Sequence, residues 1–171
     1  MSLPKLIVVA GRPGSGKSTL ATALAKECQL PLVSRDEMKE AFMGTDEAGT
    51  MTHGEITQRV YERFFSRLEH MLREGASLMA EAAFQHKVWA PRLEPLREQA
   101  DIRLVICEVP AELAFDRRVE RESLDPRRLA YHPHLPAGEE YIPPKLDVPT
   151  LIVDTSAGYH PSLEKIVEFL S

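Results

Sequence analysis

Cysteine is scarce in this chain. Only Cys28 and Cys107 occur among its 171 residues, too few for a disulfide framework. No apolar run approaches the roughly 20 residues that a bilayer-spanning helix needs. After Lys5 only Leu6 to Ala10 is apolar before glycines intervene, which is not a secretory layout. A basic excess is missing as well: 21 Lys+Arg stand against 26 Asp+Glu, for a net charge of -5. General nucleic-acid binders usually carry the opposite balance, because phosphate neutralisation supplies most of their non-specific affinity. A cytoplasmic protein with no membrane role is expected, with nucleic acid disfavoured as a partner.

What is present is globular. Hydrophobic residues make up 43% and charged residues 27%. A chain of this length buries roughly 70% of the surface its unfolded form exposes. One core is expected, and one domain over residues 1–171. Leu6-Ile7-Val8-Val9-Ala10 is a β-branched apolar run of the kind found in a parallel strand covered on both faces. Further strands are expected at 31–33, 77–80, 104–107 and 150–153. Helices are expected at 17–28, from Arg35 behind an N-capping Ser34, along an Ile56–Leu72 stripe ended by Gly75, at 88–99, 111–122 and 161–170. Within 88–99, Pro91 is expected near the helix start and Pro95 at a kink or break. Strands alternating with helices predict an α/β fold with a mostly parallel sheet. Ligands bind such sheets beyond the carboxyl ends of their strands.

Gly11-Arg12-Pro13-Gly14-Ser15-Gly16-Lys17-Ser18 matches G-x-x-x-x-G-K-S, between a strand and a helix. The glycines let the backbone curl so that successive N–H groups face one anion, and the following helix adds its positive dipole end. This predicts a P-loop for a nucleotide, with Lys17 reaching the β- and γ-phosphates and Ser18 offering its hydroxyl to Mg²⁺. Thr19 is either an α-phosphate contact or a packing residue of the helix start.

GTPases usually carry a guanine-reading N-K-x-D segment, which is absent here. A motor ATPase would place paired acids after an apolar strand, whereas Ser77-Leu78-Met79-Ala80 leads to the single acid Glu81. A kinase-like protein using ATP remains. Asp36, just past a strand end, could accept the proton of an acceptor hydroxyl, or simply favour a helix N-terminus. Glu81 could hold Mg²⁺ through water, bind the acceptor, or replace Asp36 as base. Arg117 and Arg121 lie four apart and share a helix face, placed to neutralise charge on a transferring phosphoryl group. Arg118 is expected on the outer surface, and Arg127 and Arg128 are weaker candidates. A lid is expected over about 117–135.

The histidines show no zinc spacing. Trp89 and both cysteines are expected to be packing residues. Asp154 to Gly158 either lines the adenine or forms an ordinary turn. The loop Gly44–Gly54 and residues 131–145 are expected to surround the acceptor.

The combination of G-R-P-G-S-G-K-S, Ser34-Arg35-Asp36, an acid at the third strand, and Val109-Pro110 before the Arg117/Arg121 helix resembles the small P-loop kinases. These AAA-type ATP-binding proteins are related to the 5′-kinase domain of phage polynucleotide kinase, chloramphenicol phosphotransferase and zeta toxins. The resemblance implies a P-loop NTPase fold with five parallel strands in the order 2-3-1-4-5. It also implies an ATP–Mg²⁺ phosphotransferase with Asp36 as base and Arg117 and Arg121 as lid arginines. Polynucleotide kinases usually carry Asp followed by Thr or Asn after the third strand; here Glu81 precedes Ala82-Ala83-Phe84. That departure, with the acidic charge, points to a small-molecule hydroxyl acceptor before a polynucleotide 5′-hydroxyl or a non-catalytic regulatory role.

Overall fold

The apolar run near the N-terminus is the middle of the molecule. The computed structural model describes residues 2–128 and 140–171. In it Lys5–Gly11 forms strand β1, buried from Leu6 onward. β3 (Leu78–Ala82) pairs with one edge of β1 and β4 (Asp101–Glu108) with the other, both parallel. β2 (Leu32–Ser34) and β5 (Thr150–Asp154) complete an all-parallel sheet in the order β2-β3-β1-β4-β5. This is the order the resemblance implied.

Helices α1 (Lys17–Cys28), α2 (Arg35–Met43), α3 (His53–Arg73), α4 (His86–Leu93), α5 (Ala111–Leu124) and α6 (Leu163–Leu170) surround the sheet. Strand side chains alternate between faces. Leu6, Val8 and Ala10 therefore meet Phe64 and Leu68 of α3 and Trp89 of α4, while Ile7 and Val9 meet Leu20 and Leu24 of α1 and Ile166 of α6. Neither face of β1 is left for water, which is why its run contains no polar residue.

α3 begins with a capping box: Thr52 and Glu55 each accept the other's backbone N–H through their side chains. It ends where Gly75, at φ +77, lets Ala76 N–H reach Met71 O and Gly75 N–H reach Leu72 O. Tyr61, Phe64 and Phe65 of α3 interlock with Phe84 and the fully buried Trp89. Trp89 is thus a core residue. Cys107 is buried in the sheet, and burial pushes its thiol up to about 12. Cys28 packs against the α1 side of the core.

Some expectations are corrected and others lie partly outside the described residues. The expected helix 88–99 starts earlier and ends at Leu93, with a 3-10 turn at Glu94–Leu96. Pro95 marks that break, but Pro91 lies well inside α4, where it costs the helix one N–H donor. β3 continues to Ala82, so Glu81 lies within the strand, registered between Val9 and Ser34. The Gly44–Gly54 segment is partly ordered structure: it holds a 3-10 turn at Ala48–Thr50, Ala48 packs against Phe42, Ile56 and Val60, and α3 already begins at His53. Of the lid expected at 117–135, residues 117–124 belong to α5, while 129–135 lie outside the described residues. So do residues 131–139 of the expected acceptor loop. Among the described residues, no helix is long and apolar enough to cross a membrane.

Candidate active site

The loop after β1 is bent by its own backbone. Ser15 N–H donates to Arg12 O at 3.1 Å, and Gly14 and Gly16 take φ of +84 and +79. Such angles strain any residue with a Cβ. At Gly14 space is also exhausted: a Cβ there would lie 2.2 Å from Ala114 O of α5. Gly16 caps α1, whose first turn carries no acid, so its positive end is uncancelled by its own sequence. Lys17 is 5% exposed. Ser15 Oγ is buried with no hydrogen-bond partner among the described residues.

Register explains what faces this loop. On β3, Leu78, Ala80 and Ala82 pack on the α3 side and Met79 on the α1 side. Glu81 therefore points to the α1 side, beneath the helix start. Its Oε1 accepts from Ser18 Oγ at 3.2 Å and lies 3.7 Å from Lys17 Nζ. Its Oε2 accepts from Ser34 Oγ at 2.9 Å. Ser34 also caps α2, accepting Glu37 N–H. One buried carboxylate thus ties the P-loop to the end of β2. Ser18 and Glu81 form a hard-oxygen pair of the type Mg²⁺ prefers. Among the described residues, no group of three or more His, Cys, Asp or Glu could hold a metal.

β2 is separated from β1 by β3. Asp36 nevertheless reaches the same cleft, of about 670 Å³, because α2 starts directly from the end of β2. Lys17, Ser18 and Thr19 line one wall; Arg35, Asp36 and Lys39 of α2, with His53 of α3 and Phe84, line the other. Arg35 Nη1 donates to Asp36 Oδ1 at 3.1 Å, and its guanidinium stands 5.8 Å from the centre of the Phe84 ring. Lys39 is only 2% exposed, with Nζ 3.4 Å from His53 Nε2. Burial and, to a lesser degree, Arg35 hold its ammonium down to about 8, with Asp36 opposing.

α5 closes the cleft, but not as its spacing suggested. Arg117 Nη2 donates to Thr155 O and Ser156 O at 2.9 and 3.0 Å, and Arg117 does not line the cleft. Arg118, expected on the outer surface, does line it, together with Arg121 and Arg128. Burial, then Arg128 and Arg117, lower the Arg121 pKa, while Asp36 and Glu81 oppose the shift. Arg127 is exposed and paired with Asp125.

The turn after β5 is latched to the P-loop: Thr155 Oγ1 donates to Ser15 O, and Asp154 Oδ1 accepts Ser156 N–H. Tyr141, expected near the acceptor, lines a separate cavity of about 300 Å³ with Arg12, Glu108 and Pro143, and its hydroxyl donates to Phe84 O.

Arg35, Lys39, His53 and Arg118 were not singled out from sequence as site residues. A signal existed for Lys39: once Ser34 fixes the phase of α2, the residue one turn beyond Asp36 shares its face. His53 lies in the Gly44–Gly54 segment expected to surround the acceptor, but only the α2–α3 packing brings that particular side chain in.

Known proteins bear this architecture out. An AAA domain family model matches residues 6–130. No curated protein matches. A candidate kinase from Chloroflexus aurantiacus superposes with a TM-score of 0.81 at 24% identity, covering 99% of this chain and 97% of its own. A sugar kinase from Janibacter sp. HTCC2649 gives 0.62 at 20% identity, covering 98% and 94%. A chain of the Pnkp1/Rnl/Hen1 RNA repair complex gives 0.61 at 22% identity, covering 72% of this chain and 39% of that one. The chain belongs to the AAA domain family and has the nucleotide-binding fold of its P-loop kinases.

Proposed function

We propose that this protein transfers the γ-phosphoryl group of ATP to a hydroxyl of a small-molecule acceptor. The observation that carries the reading is the cleft lined by Lys17, Ser18, Asp36 and Arg121, with Glu81 buried behind it and bonded to Ser18.

Backbone N–H groups of the Gly11–Ser18 loop, those of Gly14, Gly16, Lys17 and Ser18 among them, would cradle the phosphates, with Pro13 and the Ser15–Arg12 hydrogen bond shaping the loop, and Lys17 would hold the β- and γ-oxygens. Thr19, exposed at the helix start, is placed for the α-phosphate. Ser18 and Glu81 would hold Mg²⁺, which when bound neutralises charge on the β- and γ-phosphates. Glu81 serves there, not as base, because its oxygens are already engaged by Ser18, Ser34 and Lys17 in a buried site. Asp36, with a side chain 38% exposed to the cleft, is the base. The acceptor oxygen bonds to the γ-phosphorus, the bond from that phosphorus to the bridging oxygen of ADP breaks, and the acceptor proton passes to Asp36. Arg121 neutralises the charge on the transferring group, and Arg117 holds the Thr155–Ser156 turn that would flank the nucleotide base.

The test is ADP release from the full chain with ATP–Mg²⁺, against pooled sugars, nucleosides, aminoglycosides, amphenicols and hydroxy acids, plus a 5′-hydroxyl oligonucleotide. The reading predicts one small-molecule pool raising turnover far above background. Stimulation by the oligonucleotide alone, with steep salt dependence, would make it a polynucleotide kinase. Tight ATP binding with no stimulated turnover and slow hydrolysis indifferent to Asp36 substitution would make it a regulatory module.

A further inference from the structure

The wall opposite the P-loop contains a buried cation with no ion-pair partner among the described residues. Lys39 is 2% exposed, and among the described residues it forms no ion pair with a carboxylate and its ammonium meets the ring nitrogen of His53. The nearest acid on its own helix face, Asp36, is already bonded to Arg35. Sequestering an ammonium from water costs several kcal/mol unless a counter-charge compensates. A second donor on the same helix is also unused: Arg35 Nε is buried without a hydrogen-bond partner among the described residues. Both residues line the cleft that holds Asp36.

We propose that the acceptor carries an anionic group, a carboxylate or a phosphate, which Lys39 and Arg35 hold while Asp36 takes the proton of its hydroxyl. This rests on the kinase reading above and adds the acceptor's class: a hydroxy acid or a phosphorylated alcohol. Residues three apart on a helix have Cβ atoms about 5–6 Å from one another. An anion at Lys39 therefore leaves a hydroxyl of a compact acceptor within reach of Asp36. The nucleotide is not the missing anion, because its phosphates belong to Lys17 and the P-loop on the opposite wall. An acceptor that brings its own charge also explains why a costly buried lysine stands where methionine would pack.

The experiment first measures binding of AMP-PNP–Mg²⁺, which fills the P-loop and its γ-position. The loaded protein is then titrated separately with inorganic phosphate and with acetate. Saturable binding of at least one is expected, and which one binds tells phosphate from carboxylate. Lys39→Met should weaken that binding about ten- to a hundredfold, as expected for a lost charged hydrogen bond. AMP-PNP affinity should stay the same, and the variant should melt above wild type because an uncompensated charge is gone. Arg35→Gln should weaken anion binding as well, and serves as the second variant. With acceptor pairs, glycerate should outperform glycerol, and glucuronate glucose. Failure of both anions to bind, unchanged anion affinity in both variants, or a neutral polyol preferred over its acid would overturn the inference. No AMP-PNP binding at all would overturn the kinase reading with it, whereas AMP-PNP binding without anion binding would overturn this inference alone.

Discussion

The two walls of the cleft are built by different means. The nucleotide wall is one continuous segment, Gly11 to Thr19, whose shape comes from backbone angles at Gly14 and Gly16 and from the start of α1. The wall proposed for the acceptor is assembled from side chains that meet only after folding: Asp36 and Lys39 from α2, His53 from α3 and Phe84 from beyond β3. Glu81 joins them, bonding to Ser18 on one side and Ser34 on the other. A wall made of backbone suits a ligand common to a whole fold. One made of converging side chains can change its ligand with few substitutions, so fold alone does not name an acceptor.

If the walls are separate devices, lesions should separate too. Lys17→Ala should damage binding and transfer together, lowering transfer by about a thousandfold, the order lost with a charged or donor group aimed at developing charge. Nucleotide affinity, read by titration calorimetry, should fall with it. Gly14→Ala should come next. Its new methyl would meet Ala114 O in a backbone conformation that itself costs about 1–3 kcal/mol. Denaturant midpoint and nucleotide affinity should therefore drop together, because the P-loop is where α5 docks.

A smaller effect belongs to the other wall alone. Lys39 loses its proton as pH rises through about 8; Arg35 and Asp36 are the charged neighbours that shift it, and Glu37, Glu40, His53 and Glu122 share its cleft with Arg121 and Arg128. The KM for an anionic acceptor should therefore climb above pH 8, by about tenfold at pH 9, since only the protonated fraction binds. Bound anion would shift the onset to higher pH. AMP-PNP affinity should stay flat over the same range. For stability the sign is the reverse: the folded form holds its Lys39 proton less tightly than the unfolded chain, so this residue's contribution rises between about pH 8 and the unfolded value.

The smallest effect touches neither wall. Gln29 ends α1 in the left-handed region, at φ +53. Gln29→Gly should stabilise the fold by about 0.5–1 kcal/mol, seen as a higher denaturant midpoint, without altering nucleotide or acceptor binding.

The same contrast decides what could be read from sequence. The Leu6–Ala10 run and the glycine spacing are local signals of local physics, and both elements stand where expected. The strand order came from resemblance, since a one-dimensional pattern of apolar runs does not say which strands pair. Glu81 was recognised but placed past the strand end, because alanine at 82 gives no sign that pairing with Ala10 continues. Helical spacing put Arg117 and Arg121 on one face. It could not show that carbonyls at Thr155 and Ser156 would take the Arg117 guanidinium, leaving Arg118 to turn towards the cleft. Lys39 was not singled out, because its burial depends on the packing of α2 against α3 and the strand ends.

Asp36→Asn tests the division of labour most directly, through AMP-PNP affinity and phosphoryl transfer measured on one preparation. The account predicts wild-type nucleotide affinity with transfer reduced about 10²–10⁴-fold, the usual contribution of a general base. Transfer at the wild-type rate would contradict it, and would return the role of base to Glu81 or to no residue at all.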